Sequence, residues 1–268
     1  MRHYDLHMHS HFSMDSEDSM EKMVKASVER GLKEICFTDH VEFYTGVAHR
    51  NAAIFDAKAY VAEIERLREV YHKKIDIRIG VEFGYQPQSV EKINHFSKLI
   101  DFDFIICSVH EVKNQAFHVK EYGNDKTIKE AFETYFLECE RCTRENLLFS
   151  VLGHFDLLKR YVPCGDGAGI FKDNFDLIES IFKRLISNGK GIEVNTSGFR
   201  YGLGQTHPTS DFLKLYKSLG GEIITMGSDA HTAEYVGDKF EYTVALLKEI
   251  GFDYITRFEK LKPKFVKI

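Results

Sequence analysis

Residues 34–40 read EICFTDH, a short apolar run that ends in a histidine. A run of this length between helical stretches reads as a buried strand. The same unit recurs outward in both directions. Upstream, 4–6 is a short apolar start and 19–30 a helical run. Downstream, 55–71 is strongly helical, with Ala59, Ala62, Ile64, Leu67 and Val70 near helical spacing. Then 76–83 (DIRIGVEF) is a strand and 89–100 a helix with Ser89 at its N-cap. FDFIICSV at 102–109 is a strand, and 127–146 a long helix. Strand and helix alternate again at 150–153 and 174–187, 191–195 and 210–219, and 222–226 with a following helix, before a last segment at 254–258. Alternation at this spacing, about seven βα units without a composition break or repeat, defines an α/β chain with a parallel sheet closed into a barrel. Residues 1–268 are expected to form one domain.

The connections are asymmetric. Helix-to-strand turns are short and carry glycine where a helix ends: Gly31, Gly189, Gly220 with Gly221, and Gly251. Strand-to-helix connections are long and polar, at 41–54, 111–126, 155–173 and 197–209. In a barrel those loops line one mouth, where catalytic groups collect.

Composition narrows the function. At 268 residues the chain is long enough to bury a full core. A net charge of -5 disfavours a nucleic-acid partner but not a small anionic substrate. No apolar run is long enough to span a membrane, and MRHYDLHMHSHF has no apolar signal core. Five cysteines, an odd number, read as reduced thiols of a cytoplasmic protein. No heptad pattern or apolar surface strip speaks for an oligomeric state.

The 13 histidines decide the chemistry by where they fall. His7 and His9 follow the first strand, and two residues apart in extended chain they face the same way. His40 ends the second strand, Glu82 the third, His110 the fourth and His154 the fifth. Asp229 and His231 follow the seventh. One histidine at a strand end is usually a hydrogen-bonded rim residue. Packing gives no reason to collect imidazoles and carboxylates repeatedly at one end of the strands. Metal coordination does, and without Cys the shell suits a catalytic site for Zn, Fe or Mn. One ion takes roughly four to six ligands, so this set implies two or three divalent ions, with Glu82 and Asp229 as bridges. Asp15 either caps the first helix or completes a third shell.

DLHMHSHFSMD, FTDH, GVEFGY, SVH, GHFDLLKRY and GSDAH, in that order, resemble the PHP (polymerase and histidinol phosphatase) superfamily. The resemblance runs from Tyr4 to Asp238. Within it, GHFDLLKRY, IEVNTSGFRYGLGQTHP and GSDAHTAEYVG are similar to the monofunctional histidinol-phosphate phosphatases. The resemblance implies a distorted (β/α)7 TIM-like barrel with a trinuclear metal site at the C-terminal mouth of the strands. One metal would take His7, His9, Glu82 and Asp229. A second would share Glu82 and add His110 and His154. A third would take His40, His231 and Asp15, where several relatives have histidine.

Such a site would hydrolyse a phosphate monoester, with a metal-bridging hydroxide attacking phosphorus. Asp229 and His231 are the candidates for proton transfer to the leaving alkoxide. Arg160 and Arg200, on long loops, offer guanidinium forks for phosphate. Histidinol phosphate carries an amine and an imidazole, which a carboxylate and an aromatic surface would suit. Glu42, Phe43, Glu111, Phe117 and His118 are the candidates for that contact. Loop acids and aromatics are common without function, and His207 reads best as organising its own loop. Cys139 and Cys142 form a CxxC inside a helix with no second pair, and 165–174 (GDGAGIFKDN) lacks nucleotide-loop spacing and reads as a loop. The competing expectation is a phosphoesterase of the same superfamily acting on nucleotides or nucleic-acid ends. That would call for a basic groove.

Overall fold

The computed structural model describes residues 3–43, 53–117, 122, 124–165 and 168–268. Seven strands lie side by side in chain order: β1 (Tyr4–Met8), β2 (Glu34–Phe37), β3 (Asp76–Gly84), β4 (Phe104–Ser108), β5 (Val151–Leu152), β6 (Gly191–Asn195) and β7 (Ile224–Gly227). Every neighbouring pair is parallel. The ends of β1 and β7 close the ring: Asp229 N–H donates to the His7 carbonyl at 2.8 Å, and His9 N–H to that of Ala230 at 2.9 Å. The result is a distorted TIM-like barrel of seven strands. All strand C-termini open on one face because all strands point the same way.

Among the described residues, the longer helices flank it: α1 (Met20–Glu29), α2 (Ala57–Tyr71), α3 (Val90–Phe96), α4 (Ile128–Arg144), α5 (Phe175–Ser187), α6 (Ser210–Ser218) and α7 (Phe240–Ile250). Side chains start several of them: Ser19 accepts from Lys22 N–H, Asp56 from Ala59 N–H, and Thr127 with Glu130 forms a reciprocal capping box. The buried stripe of α2 differs from the sequence expectation. Tyr60, Ile64, Leu67 and Tyr71 face the barrel, while Ala59, Ala62 and Val70 are exposed. Two tyrosines bury far more apolar area than two alanines, so they set the rotation of the helix. Ser89 stands before α3, but its hydroxyl donates to the Gln86 carbonyl at 2.7 Å and closes a 3-10 turn instead of capping the helix. Part of the expected loop at 165–174 is helical, over Ala168–Asp173.

The chain end is an antiparallel hairpin, β8 (Tyr254–Glu259) and β9 (Lys262–Lys267), where the sequence showed one segment. Its two turn residues, Lys260 and Leu261, both have positive φ, the geometry of a tight hairpin turn. The hairpin plugs the lower end of the barrel. Phe258 joins Leu6, Cys36, Phe104, Ile106 and Val151 in the interior, with its ring 5.1 Å from that of Phe104. Beside it, Glu34 accepts from Arg78 at 2.8 Å and Arg257 at 2.9 Å, so its buried charge is doubly paired. The opposite end, at the strand C-termini, is left for polar groups.

Candidate metal centre

Glu82, near the end of β3, is the hub of that end. It is fully buried. Five imidazoles approach its two oxygens: His154 at 2.9 Å, His40 at 3.0 Å, His7 at 3.2 Å, His110 at 3.3 Å and His9 at 3.5 Å. Ser108 Oγ donates to it at 2.6 Å. The barrel therefore brings together side chains that are up to 147 positions apart, from His7 to His154.

The ring nitrogens turn toward one another. Nε2 of His7 and Nε2 of His9 are 3.0 Å apart, and Nε2 of His110 and of His154 are 3.4 Å apart. Nδ1 of His7 faces the Glu193 carboxylate and Nδ1 of His9 faces the Ser13 hydroxyl, which donates to Asp39, so with both rings neutral the two Nε2 lone pairs face each other and repel. A shared cation removes the conflict, so the donor set fits divalent metal. Among the described residues, four overlapping groups could hold an ion: His7–His9–Glu82, Glu82–His110–His154, His9–His40–His231 and His40–Glu42–His110. Asp229 lies beside the first group, with Oδ1 3.3 Å from His9 and 3.7 Å from His7. Half-exposed Asp15 is 3.1 Å from His231 and 3.6 Å from His40. The His9 ring stacks on those of His40 and His231, at 4.2 and 4.1 Å. His9 thus belongs to both the first group and the third.

Charge alternates through the cluster. Burial pushes the ring of His9 well below its usual pKa, and neighbouring His231 and His40 add to the effect. Burial also lowers His154. His7 goes the other way. Burial opposes its charge, but the carboxylates of Glu193, Glu82 and Asp229 outweigh it and hold the ring well above its usual value. Burial acts against Glu82 too, yet the imidazoles of His7, His40 and His110 keep its carboxyl well below the usual range.

Several ligand rings are held from behind. Glu42 Oε1 lies 2.6 Å from Nδ1 of His110, in space that exists because position 84 is glycine; a Cβ there would overlap the Glu42 carboxylate. Glu193 Oε1 lies 2.6 Å from Nδ1 of His7. Nδ1 of His9 meets Ser13 Oγ at 3.0 Å, and that hydroxyl donates to buried Asp39 at 2.7 Å. Each contact leaves Nε2 turned toward the cluster. Sequence reasoning missed Glu193, Asp39 and Ser13. A signal for Glu193 was there: it is a lone charge between Ile192 and Val194, on the face opposite to theirs.

A cavity of about 440 Å³ opens above the cluster. Of the substrate candidates, Glu42, Glu111, Phe117 and Arg160 line it, with Met14, Leu157, Tyr161 and Tyr201 beside them. The Arg160 guanidinium lies over the Tyr201 ring, 3.0 Å from its centroid. Two expectations are corrected. Arg200 does not line the cavity: its guanidinium donates to the carbonyls of Asp229 at 2.7 Å and Ser228 at 3.3 Å. These bonds brace Asp229, whose backbone is left-handed with φ 53°. Phe43 is not in the lining either; its ring packs against Phe96 in the core. His118 lies outside the described residues. His207 is fully buried, and its Nδ1 lies 2.6 Å from Asp156, away from the cavity lining.

A parallel barrel with clustered imidazoles and carboxylates at its C-terminal mouth, under a cavity with an arginine in its wall, defines the class of metal-dependent barrel hydrolases. The comparisons narrow it. Residues 5–197 match the PHP domain, and the chain belongs to that family. It is 34% identical over 263 residues to a histidinol-phosphatase of Lactococcus lactis, covering 98% of this chain and 96% of that one. It is 28% identical over 252 residues to a probable histidinol-phosphatase of Thermotoga maritima, covering 94% of each. Among solved structures, it is similar to a Lactococcus lactis histidinol phosphate phosphatase crystallised with zinc, L-histidinol and phosphate. The TM-score is 0.88 at 33% identity, over 97% of this chain and 98% of that one.

Proposed function

We infer that this protein is a metal-dependent phosphomonoester hydrolase converting L-histidinol phosphate to L-histidinol and phosphate, a reaction of histidine biosynthesis. The observation that carries the reading is the five-imidazole cluster around Glu82 at the floor of a cavity walled by Arg160. Full-length similarity to the zinc, L-histidinol and phosphate complex from Lactococcus lactis supports the choice of substrate. Spontaneous hydrolysis of phosphate monoesters is extremely slow, so the site must stabilise a large developing charge. Bound divalent metal supplies Lewis acidity to phosphoryl oxygens and a water acidic enough to ionise near neutral pH.

The chain's own residues take these roles. His7, His9, Glu82 and Asp229 hold one metal; Glu82, His110 and His154 a second; His40, His231 and Asp15 a third. Two or three ions of Zn, Fe or Mn fill the site. Arg160 pairs with phosphate oxygens, in line with its position in the cavity wall. Asp229 and His231, at the mouth, would relay to the leaving alkoxide the proton given up by the attacking water. Glu111 faces the substrate amine, and Phe117 packs on the imidazole. Phe117, Leu157 and Tyr161 form apolar wall that displaces bulk water from the phosphate. The whole chain acts as one barrel domain, in the cytoplasm, with a small-molecule substrate and no nucleic acid. No helix among the described residues is long and apolar enough to cross a membrane.

The test is phosphate release from L-histidinol phosphate by zinc-loaded enzyme, beside sugar phosphates and nucleotides. The expected result is a kcat/KM above about 10⁴ M⁻¹s⁻¹ for histidinol phosphate alone, within the range of natural substrates. Equal, weak rates across the panel would contradict the reading.

A further inference from the structure

Glu193 lies at the centre of β6, 1% exposed, beneath the metal-ligand cluster. It touches two ligand-bearing segments at once. Oε1 is 2.6 Å from Nδ1 of His7 on β1. Oε2 accepts the backbone N–H of His154, which follows β5, at 2.9 Å, and the Asn195 side-chain amide at 3.1 Å. The orientation of that amide is fixed independently. Asn195 Oδ1 accepts from Ser197 N–H at 2.9 Å and Ser197 Oγ at 2.6 Å, so its Nδ2 must face Glu193. The barrel is hollowed for the carboxylate: a Cβ at Gly227 would overlap Glu193 Oε1 and His7 Cβ.

We propose that Glu193 is a positioning residue of the metal centre, and that the centre requires two acceptor oxygens at this point. Oε1 keeps the His7 proton on Nδ1, which leaves the Nε2 lone pair for metal. Oε2 ties the start of the His154 segment to the same group, so the ligands from β1 and β5 share one anchor. The proposal rests on the metal-centre reading above.

The chemistry makes a neutral isostere inadequate. Glutamine has one acceptor oxygen and one NH2 donor. With NH2 toward His154 and Asn195, one donor meets two others in a buried site. With NH2 toward His7, the ring must accept on Nδ1 and carry its proton on Nε2. Nε2 then faces Glu82 and His9 as N–H and is no longer a ligand.

The test is zinc affinity by chelator competition, with melting temperatures of the metal-free and zinc-loaded forms, for wild type, Glu193→Gln and the double variant Glu193→Gln/Asn195→Asp. In the double variant, the new carboxylate can accept from the Gln NH2 and still accept from Ser197. The Gln oxygen is then free to face His7. The expected loss for Glu193→Gln is roughly 10–100-fold in zinc affinity, with a smaller rise in melting temperature on adding zinc, and the double variant recovers part of both. A purely structural role predicts a lower melting temperature of the metal-free form with zinc affinity unchanged. Wild-type affinity in Glu193→Gln, or no recovery in the double variant, overturns the proposal. Should Glu193→Gln fail to fold, Glu193→Asp carries the test: one methylene shorter, it cannot span His7 and the His154 N–H, so wild-type zinc affinity there also overturns it. A wild-type protein that takes up no divalent metal sinks this proposal and the functional reading together. Wild-type uptake with an unaffected Gln variant sinks this one alone.

Discussion

Glu42 Oε1 sits 2.6 Å from Nδ1 of His110, which turns Nε2 of that ring toward His154 and Glu82. The contact makes Glu42 a holder of a metal ligand as well as a wall of the cavity. Glu42→Ala should therefore lower metal affinity by roughly 10–100-fold, along with activity. Metal analysis after dialysis checks this. A rise in KM at unchanged metal content would instead make Glu42 a substrate contact only.

Arg160 and Arg200 should separate cleanly although both looked alike in sequence. Arg160→Ala removes a charged partner for phosphate, and hydrogen bonds to charged groups contribute about 1.5–3 kcal/mol. Turnover of histidinol phosphate should fall by roughly ten- to a hundredfold with metal content intact. Arg200→Ala should release the Asp229 carbonyl and lower metal content and thermal stability together. Equal metal content in both variants would remove the bracing role of Arg200.

Metal uptake should release protons. Burial favours neutral His40, but the carboxylates of Asp15 and Glu82 outweigh it and raise the ring to about 9. At pH 7 the metal-free ring is therefore protonated, and a ligand must be neutral, so binding displaces a proton. Affinity should rise with pH until about 9. The sign for metal-free stability is opposite: the raised pKa contributes fully below about 6.5, and the contribution is lost as pH rises through about 9. Calorimetry of zinc binding in buffers of different ionisation enthalpy measures the proton count. No release at pH 7 would contradict the charged ring.

The hairpin plug should matter for stability and little for chemistry. Phe258 fills the lower barrel interior, far along the strands from the ligand mouth. Phe258→Ala should cost about 3–5 kcal/mol of unfolding free energy, read by denaturant titration. The kcat of the folded fraction should stay near wild type.

The convergence of strand ends was legible because it needs only chain order. A histidine just past a buried run lands at the mouth of a parallel barrel whatever its neighbours do. DLHMH, SVH and GSDAH carry that signal in linear form. What lies behind the ligands was not legible in that way. Glu193 sits within a strand, and only the closed ring of strands shows that it faces His7. Arg200 has the right chemistry for phosphate, but the turn at Ser197–Arg200 aims it at the Asp229 carbonyl. Phe43 likewise follows a ligand strand and then turns into the core against Phe96. The stripe of α2 misled because small alanines match the helical period without deciding which face is buried. The C-terminal hairpin was hidden because its second strand, KPKFVK, is mostly exposed and half lysine.

The most direct test of the central claim is a titration of metal-stripped protein with zinc, following phosphate release from L-histidinol phosphate. The expected result is no turnover without metal, and activity that climbs and levels off at two to three zinc ions per chain. Full turnover by the metal-free protein would contradict the account, and so would zinc-loaded protein that leaves histidinol phosphate intact.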